Sequence, residues 1–184
     1  FRPHTNTVDQ VFRFNMLRWK TIEIGRGIFY LAFVDLRAAF NLVSRPKLWE
    51  VLRGLALPDQ MLNVIMYLHY NNYASVRWGS NGKTTNRVRI GRGVRQGCVL
   101  APTLFLLFIN CCVEFLQDCR NDSPTLGGLK TPALLFADDT LLMSQTMTGL
   151  KILLERFNLF CLSNSLELNL SKNKFMAINT YKKC

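Results

Sequence analysis

Ala133-Leu134-Leu135-Phe136-Ala137-Asp138-Asp139-Thr140-Leu141-Leu142-Met143 sets two consecutive acids between two short apolar runs. Far upstream, Ile28-Phe29-Tyr30-Leu31-Ala32-Phe33-Val34 ends on a third acid, Asp35. The first stretch reads as a β-hairpin with the acids at its turn. The second, β-branched and aromatic with almost nothing polar in it, reads as a strand covered on both faces. If the two are neighbours in one sheet, three carboxylates converge at strand ends. An Asp-Asp pair alone is also ordinary turn chemistry, so the surrounding chain decides between the two readings.

Outward from these strands the pattern alternates between periods. Val8, Val11, Phe12, Met16, Leu17 and Trp19 recur at helical spacing before the Gly25-Arg26-Gly27 break. Pro46 and Pro58 open two helices, Lys47 to Leu55 and Pro58 to Tyr70. Tyr73 to Trp78 and Thr84 to Ile90, joined across Gly79-Ser80-Asn81-Gly82, carry a hairpin signal. Pro102 begins an apolar helix to about Leu116, a further helix covers Thr148 to Ser163, and the tail alternates at Leu166, Leu168 and Leu170 before Phe175, Met176 and Ile178. Helices interleaved with strands predict an α+β sheet with helices on one face.

Of the 184 residues 49% are hydrophobic, enough for a real core, and the formal charge of +11 favours a polyanionic partner. Cys98, Cys111, Cys112, Cys119, Cys161 and Cys184 form no Cys-x-x-Cys pair, which argues against a zinc site or a disulfide framework and for reduced thiols in an intracellular protein, nucleus and cytoplasm not being distinguishable. His4 and His69 receive no role. The longest apolar run, Val99 to Ile109, is interrupted by Pro102 and falls short of the ~20 residues of a membrane span. A start at Phe1 without a charged-then-apolar leader suggests a piece of a longer protein and no signal peptide.

Three aspartates at strand ends suit nucleotidyl transfer, which uses two divalent ions ~3.5–4 Å apart held by bridging carboxylates. The neighbouring residues extend this. Phe136-Ala137-Asp138-Asp139 resembles the Phe/Tyr-x-Asp-Asp motif of reverse transcriptases, and Leu31 to Phe40 resembles their first carboxylate motif. Arg95-Gln96-Gly97-Cys98-Val99-Leu100-Ala101-Pro102-Thr103-Leu104-Phe105 is similar to the Arg-Gln-Gly block between them. Leu168-Asn169-Leu170-Ser171-Lys172 is similar to the later Leu-x-Asn-x-x-Lys motif, and Phe1-Arg2-Pro3 with Thr7 to Gln10 to the upstream finger-side block. The order and spacing of these blocks over almost the whole chain resemble non-LTR, LINE-like retrotransposon reverse transcriptases.

That resemblance implies a polymerase palm, a mainly antiparallel sheet backed by helices, with part of the fingers and no thumb. Residues 1–27 would be a finger-side segment and 28–184 the palm with inserted finger-side helices and hairpin. It implies an RNA-directed DNA polymerase that adds dNTPs to a primer 3′-OH on an RNA template, with two Mg²⁺ ions, or Mn²⁺ in their place. Asp35, Asp138 and Asp139 would be the metal-binding and catalytic carboxylates, Asp35 and Asp138 converging with Asp139 adjacent. Backbone near Leu36 would touch the triphosphate, and Phe40 would occupy the space of a ribose 2′-hydroxyl. Arg95, Gln96 and Gly97 would lie near nucleotide and template, and Arg2 would reach the triphosphate from the finger side. Lys172 would protonate the departing pyrophosphate, with Lys174 an open alternative.

Asn41, Ala101 and His4 depart from the family's commoner Asp, Ser and Gly, and none of them removes a metal ligand. A catalytically silent remnant, or a basic binding module, stands as the competing reading. Clustering three acids in a basic protein has no use in the latter.

Overall fold

The computed structural model describes residues 7–23, 28–80, 82–95, 97–119 and 122–179. The chain divides into two compact units, the first formed by Phe1–Arg37 with Ile109–Cys184 and the second by Ala38–Phe108. In chain order the first unit begins with helix α1 (Thr7–Glu23), strand β1 (Ile28–Val34) and β2 (Leu36–Arg37). The second holds α2 (Ala39–Leu42), α3 (Arg45–Gly54), α4 (Asp59–Tyr70) and the short strands β3 (Tyr73–Ala74), β4 (Arg77–Trp78), β5 (Lys83–Thr84) and β6 (Val88–Arg89). Helix α5 (Ala101–Phe115) returns the chain to the first unit. There follow β7 (Thr125–Leu126), β8 (Leu129–Lys130), β9 (Ala133–Phe136), β10 (Asp139–Ser144), α6 (Met147–Ser163), β11 (Glu167–Leu168) and β12 (Lys174–Asn179).

The first unit is built on a four-stranded antiparallel sheet in the order β12-β1-β10-β9. Its centre is the apolar strand read from sequence as covered on both faces, and the burial agrees. Side chains alternate across a strand, so Phe29 and Leu31 lie on one face, where with Met143 they pack against Leu17 and Phe14 of α1. Ala32 and Val34 are buried on the other, together with Leu142 and Ser144 of β10. Helix α6 packs against β10 and β1 and meets Ser144 at Gly149, where a Cβ would collide with the Ser144 hydroxyl. The sheet therefore carries a helix on each face, where the sequence suggested helices on one. An apolar strand with no polar side requires two covers.

Helix α6 starts where Thr146 accepts the Gly149 N–H at 2.9 Å through its side chain. Its apolar stripe, Leu150, Leu153, Phe157 and Phe160, is buried.

In the second unit Arg45 is buried, and its guanidinium donates to the carbonyls of Gly93 (2.9 Å), His69 (2.7 Å) and Ile90 (2.7 Å). Burial lowers its proton affinity, with Arg89 adding to the effect. One side chain thus ties the start of α3 to the end of α4 and to the segment after β6. The expected hairpin between Tyr73 and Ile90 forms as two short ladders. Tyr73↔Arg89 and Ala74↔Val88 make one, Arg77↔Thr84 and Trp78↔Lys83 the other.

Candidate active site

Asp35 follows directly on β1, and residues from the far end of the chain surround it. Its N–H donates to the Asn173 side-chain oxygen at 3.0 Å, and its carbonyl accepts the Asn169 N–H at 2.9 Å. Its carboxylate Oδ2 accepts the Asn169 Nδ2–H at 2.9 Å and lies 3.6 Å from Lys172 Nζ. The segment after β11 is itself a tight turn, with the Lys172 and Asn173 N–H groups both donating to the Asn169 carbonyl. Asp35 is therefore fixed in backbone and side chain, which suits a group whose oxygens must hold a set position. The Lys172 amine is 68% exposed and adds little to stability.

The β1–β10 ladder runs from Tyr30↔Ser144 to Val34↔Thr140; Asp35 and Asp139 are the next residues beyond its last pair, and both edge one cavity. Asp138 occupies the turn, beside Ala137 in the left-handed region at φ 55°. The Asp139 carboxyl binds its proton more tightly than an ordinary aspartate. Partial loss of solvent is the main cause, then the charges of Asp138 and Asp35, with Lys172 opposing. Three like charges are thus held near one another at one end of the sheet.

Asp35, Asp139, Lys172 and Lys174 edge a cavity of about 630 Å³ between α1 and the sheet, whose apolar wall includes Phe14 and Phe33. Among the described residues no three acid, histidine or cysteine side chains are grouped closely enough to hold an ion as they stand.

Of the other residues singled out in the sequence, Leu36 is buried and paired with Leu168. Phe40 lies in the second unit with its ring stacked on Phe105, centroids 4.5 Å apart. Its carbonyl accepts the Val94 N–H at 2.8 Å. Arg95 is exposed, and Gly97 has φ 78°. Arg2 and Gln96 lie outside the described residues. Sequence reasoning gave no role to Asn169 or Asn173, although Asn169 stands inside a quoted motif. Their bonds to Asp35 span 134 and 138 residues, a distance over which no local pattern operates.

The family profile described as reverse transcriptase (RNA-dependent DNA polymerase) matches residues 1–183. The chain belongs to the reverse transcriptase family. Among its relatives is the retrovirus-related Pol polyprotein from type-1 retrotransposable element R2 of Nasonia vitripennis, 35% identical over 128 residues. That match covers 69% of this chain and 12% of that protein. The Pol polyprotein from type-2 retrotransposable element R2DM of Drosophila melanogaster is 28% identical over 143 residues, 78% of this chain and 13% of that protein. These are non-LTR retrotransposon proteins, and this reverse transcriptase domain spans about an eighth of their length.

Among solved structures, the telomerase of Candida albicans in complex with the TWJ fragment of telomeric RNA aligns with a TM-score of 0.75 at 15% identity, over 96% of this chain and 32% of that one. Apo telomerase from Candida tropicalis, truncated from the C-terminal domain, gives 0.73 at 14%, over 95% of this chain and 36% of that one. At such identity the likeness speaks for the fold, an α+β polymerase palm. No helix among the described residues is long and apolar enough to cross a membrane.

Proposed function

We propose that this domain is the catalytic core of a retrotransposon enzyme that copies RNA into DNA, joining dNTPs to a primer 3′-OH. The observation that carries the reading is that Asp35 and Asp139, at the ends of neighbouring strands, edge one cavity, with Asn169, Asn173 and Lys172 gathered on Asp35.

Hard carboxylate oxygens are the donors that magnesium prefers. The proton affinity of Asp139 is raised first by partial loss of solvent and then by the charges of Asp138 and Asp35, and a bound cation would offset both. Asp35 and Asp139, with Asp138 beside them, are the residues that would hold divalent ions. When bound, such ions polarise phosphoryl oxygens and offset the charge that develops on them. Asn169 and Asn173 orient Asp35. Lys172, within reach of the Asp35 carboxylate, is placed to release a proton to a departing pyrophosphate, and Lys174 at the edge of the same cavity is the alternative donor. Leu36, Phe40, Arg95, Gln96, Gly97 and Arg2 keep the roles that the family motifs assign, around the triphosphate and the template.

RNA template, DNA primer and dNTP are the partners this reading requires, and +11 of net charge suits the first two. The alternatives, a silent remnant or a plain binding module, gain nothing from a family match over the whole domain with all three acids in place.

The test is primer extension on poly(rA)/oligo(dT) with Mg²⁺ or Mn²⁺, using the protein that carries this domain. Synthesis that vanishes in Asp35→Asn and in Asp139→Asn supports the reading. A folded, template-binding protein that never extends a primer with either metal refutes it.

A further inference from the structure

The two ladders of the second unit's hairpin are out of step. Between Ala74↔Val88 and Arg77↔Thr84, two residues, Ser75 and Val76, stand opposite three, Thr85, Asn86 and Arg87. The surplus residue is a β-bulge, a device that bends a strand and re-aims a side chain. Thr85 holds the break in place: its hydroxyl accepts the Val76 N–H, and its own N–H donates to the Val76 carbonyl, both at 2.9 Å.

Beside the bulge lies a polar cavity of about 360 Å³ lined by Asn71, Asn72, Tyr73, Ser75, Arg87 and Arg95, with Ala74. Its lining is rich in hydrogen-bond donors and holds no carboxylate. Neither arginine forms an ion pair among the described residues. Two guanidinium groups and two side-chain amides around a small polar hollow are a poor site for a cation or an apolar ligand, and a good one for an anion with several acceptor oxygens.

The surroundings say which anion. Tyr73 and Trp78 are about half exposed on the same ribbon. Arg89 lies over the Tyr70 ring, 5.8 Å from its centroid, and Arg77 and Lys83 are exposed on the distal ladder. Basic side chains interleaved with exposed rings form the surface on which single strands lie, phosphates on the cations and bases on the rings.

We infer that the Arg87–Arg95 hollow is a binding site for a backbone phosphodiester of single-stranded RNA, held by the bulged hairpin. The inference rests on the polymerase reading for its choice of RNA, and the hollow belongs to the second unit alone.

A labelled single-stranded RNA oligonucleotide titrated with the protein that carries this domain provides the test. Arg87→Gln and Arg95→Gln should each weaken binding about tenfold, the size of one lost charge-assisted hydrogen bond. Each should also reduce the log–log salt slope by about 0.7, one phosphate's share on a single strand. Arg156→Gln, the same loss of charge on the exposed face of α6, should leave affinity within about twofold, as an exposed charge away from a contact does.

Equal effects from all three variants would overturn the site. So would unchanged RNA affinity with a weakened dNTP KM in Arg87→Gln, which would make the hollow a triphosphate pocket. RNA binding that depends on Arg87 and Arg95 in a protein that never polymerises would keep the site and sink the polymerase reading. Synthesis that is indifferent to both arginines, with RNA affinity unchanged, would do the reverse.

Discussion

The fold holds the Asp139 carboxylate at a cost to stability. Its folded proton affinity is raised above the unfolded value, so near neutral pH its charge is a penalty carried only by the native state. That penalty disappears as pH falls through the raised value towards the ordinary carboxylate range, where the folded form is already protonated. Asp139→Asn should therefore abolish synthesis while raising Tm at pH 7, at about 2–4 °C per kcal/mol for a domain of this size. The gain should shrink to nothing in acid, and thermal melts at several pH values would show it; a lower Tm at pH 7 would contradict the charge argument. Asn169→Ala removes two hydrogen-bond partners of the Asp35 carboxylate's surroundings, its amide and the acceptor for Ser171. It should lower kcat with little change in dNTP KM if Asp35 holds a metal ion as proposed, because it loosens that carboxylate and not a contact to the nucleotide. For Phe40 the packing seen in the structure and the proposed role at the ribose can be separated. Its stack on Phe105 predicts that Phe40→Ala costs about 2 kcal/mol, part of a full core truncation, while its family role predicts more ribonucleotide incorporation. Competition between rNTP and dNTP, measured beside a denaturation curve, separates them.

Elements with one dominant period were readable and elements set by tertiary pairing were not. Ile28 to Val34 is the strand expected, residue for residue, because an apolar β-branched run between Gly27 and Asp35 has few other folds open to it. Helix α6, expected from Thr148, begins at Met147 on a Thr146 cap. The hairpin of β7 and β8 went unread although Gly127-Gly128, at φ 57° and 83°, is a strong turn signal. Strands of two residues carry too little alternation to register. The bulge at Arg87 was illegible for a related reason: a register break is a relation between two strands, and a single strand's pattern does not hold it. Gly93 offers a test at this scale. With φ 80° and a Cβ position 2.6 Å from the Asn41 carbonyl oxygen, Gly93→Ala combines backbone strain with a backbone clash and should cost about 1–3 kcal/mol or more. A neutral Gly93→Ala in urea unfolding would show that this loop shifts freely.

At the scale of the molecule, the three acids stand at one end of one sheet, Asp35 directly after β1 and Asp139 at the start of the neighbouring β10. How each acid is aimed was not legible. The expectation was convergence of Asp35 and Asp138 with Asp139 adjacent, and a motif in one strand does not hold the register that aims each acid, since one residue of slip exchanges the faces. The charge of +11 predicts RNA binding that falls steeply between about 50 and 200 mM salt, which anisotropy titrations would measure; a flat response would remove the electrostatic argument. The order of strands carries a consequence for synthesis on the ribosome. Both neighbours of β1, β10 and β12, emerge more than a hundred residues after it, so the most apolar strand of the protein leaves the exit tunnel with two open edges and waits. Until residue 144 has been translated the segment has neither strand partner, and until residue 179 one edge stays open, an interval that invites chaperone capture or pairing with a neighbouring polysome's copy. Slowing elongation between β1 and β10 should lower the soluble yield, whereas slowing it after β12 should not.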